Sequence, residues 1–279
     1  MNCKVIVNTD SGNYGRLDID ALLNMLGCAH DDVQYVNSDC DWTAENCDTV
    51  VVCGGDGTLH CALEKCADKQ IVYAPCGTLN ELSKTNGAIK SIGKVNDMPF
   101  SYVCATGSFT EIGYSANNNH KKRFKALAYL PQVLTCYKSH VIHAKLNVDG
   151  KKYEDDYTLL MVLKSNRCFG FNFNKSYNNR NGLYLVAVRS FGENSFINKV
   201  KMFAPFFRVF FCGVNAPAVK ENWQVVPFEN LSVTINSPQD FCLDGEKRIL
   251  QGELHFCEQT LNKQIEIIKT PYRSRLGKF

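Results

Sequence analysis

Residues 54–58, Gly-Gly-Asp-Gly-Thr, combine what a phosphate needs with a carboxylate that a phosphate repels. Glycines let the backbone approach an anion closely, and a helix that follows directs its unpaired N–H groups at it. The Thr58 hydroxyl is placed to cap that helix and to donate to a phosphate oxygen. Asp56 fits among phosphates only with a cation between them, which points to Mg²⁺. A simple glycine turn with a capping residue accounts for Gly54, Gly55, Gly57 and Thr58 but leaves Asp56 unexplained.

Two further segments carry similar chemistry. In "YAPCGTLNELSK", Pro75 and Gly77 make a bend, Thr78 and Asn80 present polar groups, and Glu81 adds an acid. In "VNTDSG", Asn8, Ser11 and Gly12 stand at the end of an apolar run. The elements that position all three are legible. "CKVIVN", "DTVVVCGG" and "QIVYAP" are apolar runs of strand length, the second continuous enough to be buried on both faces. "DIDALLNMLG", which Gly27 ends, "TLHCALEKCA" and "TLNELSK" read as helices. This β-α-β-α order predicts a doubly wound parallel sheet, whose ligands bind at the carboxyl ends of the strands. Three polar loops at one sheet edge converge on one ligand.

Beyond about residue 98 the pattern changes. "HVIHAKLNVDGKKYEDDYTLLMVLK" gives two strands around Asp149-Gly150, a hairpin signal. "GLYLVAVRSF", "LSVTINS", "FCLDGE" and "GELHFC" continue as short strands, which predicts a second, mainly antiparallel β domain. "KRFKALAYLPQVLTCY" and "SFINKVKMFAPFFRVFF" interrupt it as helices. Asp244-Gly245-Glu246 reads equally as a hairpin turn or as a pair of acids for proton transfer.

Composition sets the class. With 279 residues, 45% hydrophobic and 21% charged, the chain is a soluble globular protein of one large or two ordinary domains. A net charge of +3 is too small for a nucleic-acid binder. The 14 cysteines are scattered without zinc-like spacing and read as small buried thiols in a reducing compartment. The first residues enter a strand at once, without a signal peptide, and no apolar run reaches the ~18 residues of a membrane span. A cytoplasmic location follows as the expectation.

The ordered set Asn8-x-x-Ser11-Gly12, Gly54-Gly55-Asp56-Gly57-Thr58, Gly77-Thr78-x-Asn80 and Asp244-Gly245-Glu246 resembles the diacylglycerol kinase catalytic family. The likeness is greatest to its bacterial soluble lipid kinases, relatives of the sphingosine kinases, and spans nearly the whole chain. NAD kinases share the Gly-Gly-Asp-Gly-Thr loop, but their further glycine-rich signature is missing after Asn80. The resemblance implies an α/β nucleotide-binding domain over 1–98 and a β-sandwich-like lipid-substrate domain over 99–265. A tail over 266–279 would pack back on the first domain.

By the same resemblance ATP lies on the strand ends, and the acceptor alcohol enters a cleft between domains. Asn8, Ser11, Gly12, Gly54, Gly55, Asp56, Gly57, Thr58, Gly77, Thr78 and Asn80 would hold nucleotide, and Asp56 and Glu81 would hold Mg²⁺. Asp244 would be the base, supported by Glu246. The sequence also departs from the family pattern. Glu81 replaces an aspartate, Ser91 stands where an acid of the metal network is common, His60 replaces a frequent asparagine, and Arg180-Asn181-Gly182 replaces a structural metal motif. A nucleotide-binding regulator with little catalysis, or a kinase of a water-soluble alcohol, is therefore carried beside the lipid kinase. "HKKRFK" (120–125) and "KVKMFAPFFRVFF" (199–211), with Lys199, Lys201 and Arg208, read either as a transient membrane-surface contact or as core helices with snorkelling charges.

Overall fold

The structure, a computed structural model, describes residues 2–37, 42–78, 80, 82, 88–108, 110, 140–168, 171–176, 182–192 and 196–273. The chain divides into two compact units, Met1–Ser91 with Thr260–Phe279, and Ile92–Gln259.

The first unit is built on parallel strands β1 (Cys3–Asn8), β2 (Val33–Val36), β3 (Thr49–Gly54) and β4 (Gln70–Pro75), in the order β2-β1-β3-β4. All six residues of β3 are buried, as a central parallel strand covered on both faces requires. Helix α1 (Ile19–Leu26) begins where Asp18 accepts the Ala21 N–H at 3.1 Å, and it ends at Gly27, left-handed at φ +65°. Its Leu22 and Leu23 pack against Val5, Val7, Val51, Cys53 and Val72. Helix α2 (Asp56–Lys65) follows β3 directly. β2 was missed in the sequence because "VQYV" is short and flanked by polar residues.

The segment after Gln259 is part of this unit. Glu266 and Ile267 pair in parallel with Val72 and Tyr73. Thr270 Oγ1 donates to the Pro75 carbonyl at 2.8 Å, and the Arg273 N–H donates to the Arg16 carbonyl at 2.8 Å. Cys3 and Cys28 form a disulfide with their Cα atoms 6.7 Å apart, and Cys61 is also bridged. This corrects the reading of Cys3, Cys28 and Cys61 as small buried thiols. Gly27 reverses the chain after α1 and returns Cys28 to the start of β1, a proximity that no local spacing encodes. Cys47, Cys53, Cys66, Cys76, Cys104, Cys168 and Cys242 are buried free thiols.

The second unit holds β5 (Ile89–Val95, which begins in the first unit), β6 (Met98–Phe100), β7 (Val103–Gly107), β8 (Ile142–Val148), β9 (Lys151–Leu163), β10 (Arg167–Cys168), β11 (Phe171–Asn172), β12 (Leu183–Arg189), β13 (Ala218–Val219), β14 (Trp223–Phe228), β15 (Leu231–Leu243) and β16 (Glu246–Ile267), whose last residues lie in the first unit. The unit starts ahead of residue 98 because Val95 and Phe100 are buried in its core. β7 and β8 lie end to end between β9 and β15. Leu183 and Phe228 from one end of the antiparallel path share a buried cluster with Val95 and Phe100 from the other, so the strands curl about one core. "LSVTINS" and "FCL" are one strand, not two. An irregularity between Ile235 and Gln239 absorbs the polar break. Helix α3 (Phe196–Phe206) contains Pro205 and continues as a π-helical segment, Phe207–Cys212. Among the described residues no helix is long and apolar enough to cross a membrane.

Candidate functional site

In the first unit the chain leaves β1 toward β2 on one side, while β3 and β4 lie on the other. The carboxyl ends of β1 and β3 thus flank a topological switch point, where ligand crevices form in such sheets. Side chains tie the loops together there. Asn8 Nδ2 at the end of β1 donates to Thr58 Oγ1 in α2 at 2.8 Å, with both residues buried. The Asn13 N–H donates to the Cys76 carbonyl at 2.9 Å, and its Nδ2 donates to the Gly77 carbonyl at 2.6 Å. The Gly54 carbonyl accepts from Cys76 N–H at 2.7 Å and from Gly77 N–H at 3.1 Å. Asn80 Nδ2 donates to Gly77 O at 2.8 Å. The loops carrying Ser11, Asp56 and Thr78 are one hydrogen-bonded assembly.

Glycines allow this closeness. A Cβ on Gly12 would collide with the Thr78 hydroxyl, and one on Gly77 would stand 2.7 Å from the Gly55 Cα. A Cβ on Gly54 would lie 2.5 Å from Thr58 Cβ. The Ser11 hydroxyl is buried without a hydrogen-bond partner. An orphaned donor beside a glycine cradle and a helix start fits a phosphate oxygen, which would satisfy it.

Asp56 opens α2, half-buried, and its Oδ1 lies 3.3 Å from the hydroxyl of Tyr73 on β4. Burial, and then the Asp56 charge, hold the Tyr73 phenol well above its usual range, so it stays a neutral donor. Burial also pushes the Cys76 thiol up to about 11 and the Cys53 thiol higher still, which leaves both uncharged beneath the loops. The structure corrects the capping role given to Thr58. Gly55 is the N-cap residue and Thr58 lies inside the helix, so its hydroxyl serves Asn8. His60 is fully buried in α2, with Nε2 3.4 Å from Glu64 Oε1.

In the second unit Asp244 and Gly245 form the two-residue turn between β15 and β16, both at positive φ (+52° and +104°). Asp244 is buried. Its Oδ1 accepts the N–H groups of Tyr102 and Val103, each at 3.0 Å. Its Oδ2 accepts from Ser101 N–H and, at 2.9 Å, from Ser101 Oγ. Glu246 opens β16, partly exposed.

The structure therefore brings together Asn8, Ser11, Gly12, Gly54, Gly55, Asp56, Gly57, Thr58, Gly77, Thr78 and Asn80. Glu81, Arg180, Asn181 and the basic cluster 120–125 lie outside the described residues. Sequence reasoning missed Tyr73 and Asn13. Tyr73 looks like any aromatic strand residue, while the signal for Asn13 was an amide directly after Ser11-Gly12.

Residues 2–98 match the family model for the diacylglycerol kinase catalytic domain, and the resemblance drawn from the motifs is borne out. A Streptococcus pneumoniae protein provisionally named a lipid kinase is 22% identical over 250 residues, 81% of this chain and 80% of that one. A Staphylococcus aureus diacylglycerol kinase is 24% identical over 206 residues, 60% of this chain and 64% of its own length. A Bacillus anthracis crystal structure provisionally titled a diacylglycerol kinase superposes with a TM-score of 0.67 at 18% identity over 97% of each chain. At that identity the likeness establishes the fold: an α/β unit followed by a β-rich one.

Proposed function

From the match of residues 2–98 to the diacylglycerol kinase catalytic domain model, we propose an ATP- and Mg²⁺-dependent kinase that phosphorylates the hydroxyl of diacylglycerol or a similar long-chain alcohol. The observation that carries this reading is the tied assembly of three loops around a glycine cradle with the orphaned Ser11 hydroxyl. Backbone N–H groups at 54–57, with Ser11, Gly12, Gly77, Thr78 and Asn80, would hold the phosphates. Asp56 and Glu81 would hold Mg²⁺, which when bound neutralises charge on the phosphoryl group. The protein's remaining tasks are to align the acceptor hydroxyl with the γ-phosphorus and to take its proton. We assign that last task to the Asp244-Gly245-Glu246 turn.

The named relatives favour a lipid acceptor. The test is phosphate transfer from labelled ATP with Mg²⁺ to a panel of diacylglycerol, a long-chain monohydroxy alcohol and glycerol. Label in the lipid phase supports the reading. Label on glycerol alone moves the assignment to a water-soluble alcohol, and nucleotide binding without transfer moves it to a regulator.

A further inference from the structure

We propose that the second unit carries a separate binding site for a small aromatic carboxylate, in a groove where β12 ends and β14 begins, beside the middle of β9. The groove is about 280 Å³ including the solvent at its mouth, and Tyr153, Tyr157, Arg189, Lys220, Trp223 and Gln224 line it. Drug-sized pockets run to ~300–1,000 Å³, so this one admits a single ring and not a nucleotide. Strand register fixes its place. Arg189 stands opposite Tyr157, and Gln224 stands opposite Ala187. Leu163, at the far end of β9, pairs with Val103, whose N–H binds Asp244. Six residues of β9 lie between the Tyr157 and Leu163 positions, which at ~3.3 Å each puts the groove about 20 Å from the acidic turn.

Two buried polar side chains in the groove lack partners. Gln224 is 7% exposed, and its amide has no hydrogen bond among the described residues. Tyr157 is 2% exposed, and its hydroxyl has none among them either. Burial pushes the Tyr157 phenol up to about 12, so it stays a neutral donor. A buried amide left unpaired weakens the fold, and a ligand that pairs with it recovers the loss. Room for that ligand exists because the residue opposite Gln224 is Ala187, whose methyl fills little of the groove.

The rest of the lining sets the chemistry. Arg189 Nε is paired with Asp155 at 3.0 Å, and its terminal nitrogens have no partner among the described residues. Lys220 is exposed and has no ion pair among them. With Asp155 balancing Arg189, the lining keeps one uncompensated positive charge, which suits a monoanion. A carboxylate offers about four lone-pair sites. The Arg189 guanidinium, the Lys220 ammonium, the Gln224 amide and the Tyr157 hydroxyl are four donors for them. Tyr153 and Trp223, both half-buried, offer ring surface to a planar apolar body. No residue of the nucleotide loops or of the acidic turn takes part, so this site stands or falls apart from the kinase reading.

The experiment titrates the full chain, without nucleotide, with benzoate, cyclohexanecarboxylate, benzyl alcohol and inorganic phosphate. Binding is followed through the indole N–H signals of Trp42 and Trp223 in NMR spectra, assigned with Trp223→Phe. Benzoate should shift the Trp223 signal saturably and leave the Trp42 signal in place. Cyclohexanecarboxylate keeps the charge without the aromatic face, and benzyl alcohol keeps the ring without the charge. Each should bind roughly tenfold more weakly or worse. Lys220→Glu should lose benzoate binding at an unchanged melting temperature. Gln224→Leu should bind benzoate roughly tenfold more weakly yet melt at or above the parent, because an apolar group replaces an unpaired buried amide. If that variant does not fold, Tyr157→Phe makes the same comparison, with weaker binding at the parental melting temperature. No saturable Trp223 shift with benzoate overturns the proposal, as does phosphate binding as tightly as benzoate. Parental benzoate affinity with a lowered melting temperature in Gln224→Leu overturns it as well, since the amide would then be structural.

Discussion

The Tyr73 hydroxyl lies 3.3 Å from Asp56 Oδ1, joining a fully buried phenol on β4 to the only carboxylate of the 54–58 loop. Tyr73→Phe removes the hydroxyl and leaves the ring in the core. Partners of this kind orient metal-binding carboxylates, and losing one weakens metal affinity about 10–100-fold. We predict an unchanged melting temperature without ligand and a Mg²⁺ requirement for ATP protection displaced upward by at least the lower figure. An unchanged Mg²⁺ titration would remove Tyr73 from the site.

Asp56→Ala goes further. ATP with Mg²⁺ should stabilise the parent protein by ~2.7 kcal/mol at 100-fold excess over Kd. The variant should lose most of the Mg²⁺-dependent part, read as a melting shift with and without a chelator. Equal shifts in both proteins would make Asp56 a turn residue.

The glycine cradle makes a paired prediction. In Gly77→Ala the new methyl meets the Gly55 Cα at 2.7 Å and Asn80 Oδ1 at 2.6 Å, whereas in Gly15→Ala nothing lies within 4 Å. Overpacking of this kind costs about 1–3 kcal/mol. Gly77→Ala should therefore melt lower and bind ATP weakly, while Gly15→Ala behaves as the parent. Identical behaviour of the two would contradict the packing of the three loops.

The Cys3–Cys28 bridge spans 25 residues and encloses β1, the loop of Ser11 and Gly12, and α1. The chain-entropy account gives such a loop about 3.5 kcal/mol. A reducing agent, or Cys28→Ser, should lower the melting temperature. No change under full reduction would mean the bridge does not contribute.

Much of this was legible in the sequence, for reasons that also mark where legibility stopped. α1 was readable to its ends because Asp18 and Gly27 carry local signals. The three loops were readable because glycines and hydroxyls cluster where apolar strands finish. What depends on contacts between distant residues was not: the Asn8–Thr58 bond across 50 positions, the Tyr73–Asp56 pair and the return of Cys28 to Cys3. Thr58 was misread as a cap because helix propensity does not reveal that α2 starts two residues earlier. Asp244 and Glu246 look equivalent as letters, and only the donors of the 101–103 segment tell them apart.

We propose that phosphoryl transfer to a lipid hydroxyl depends on the Asp56 site. The most direct measurement is single-turnover transfer of label from the γ-phosphate of ATP into diacylglycerol vesicles with Mg²⁺, by the parent and by Asp56→Ala. The parent is expected to yield a labelled, lipid-soluble phosphomonoester, and the variant none above background. Label that stays in ATP with the parent, although ATP raises its melting temperature, or equal product from both proteins, would contradict it.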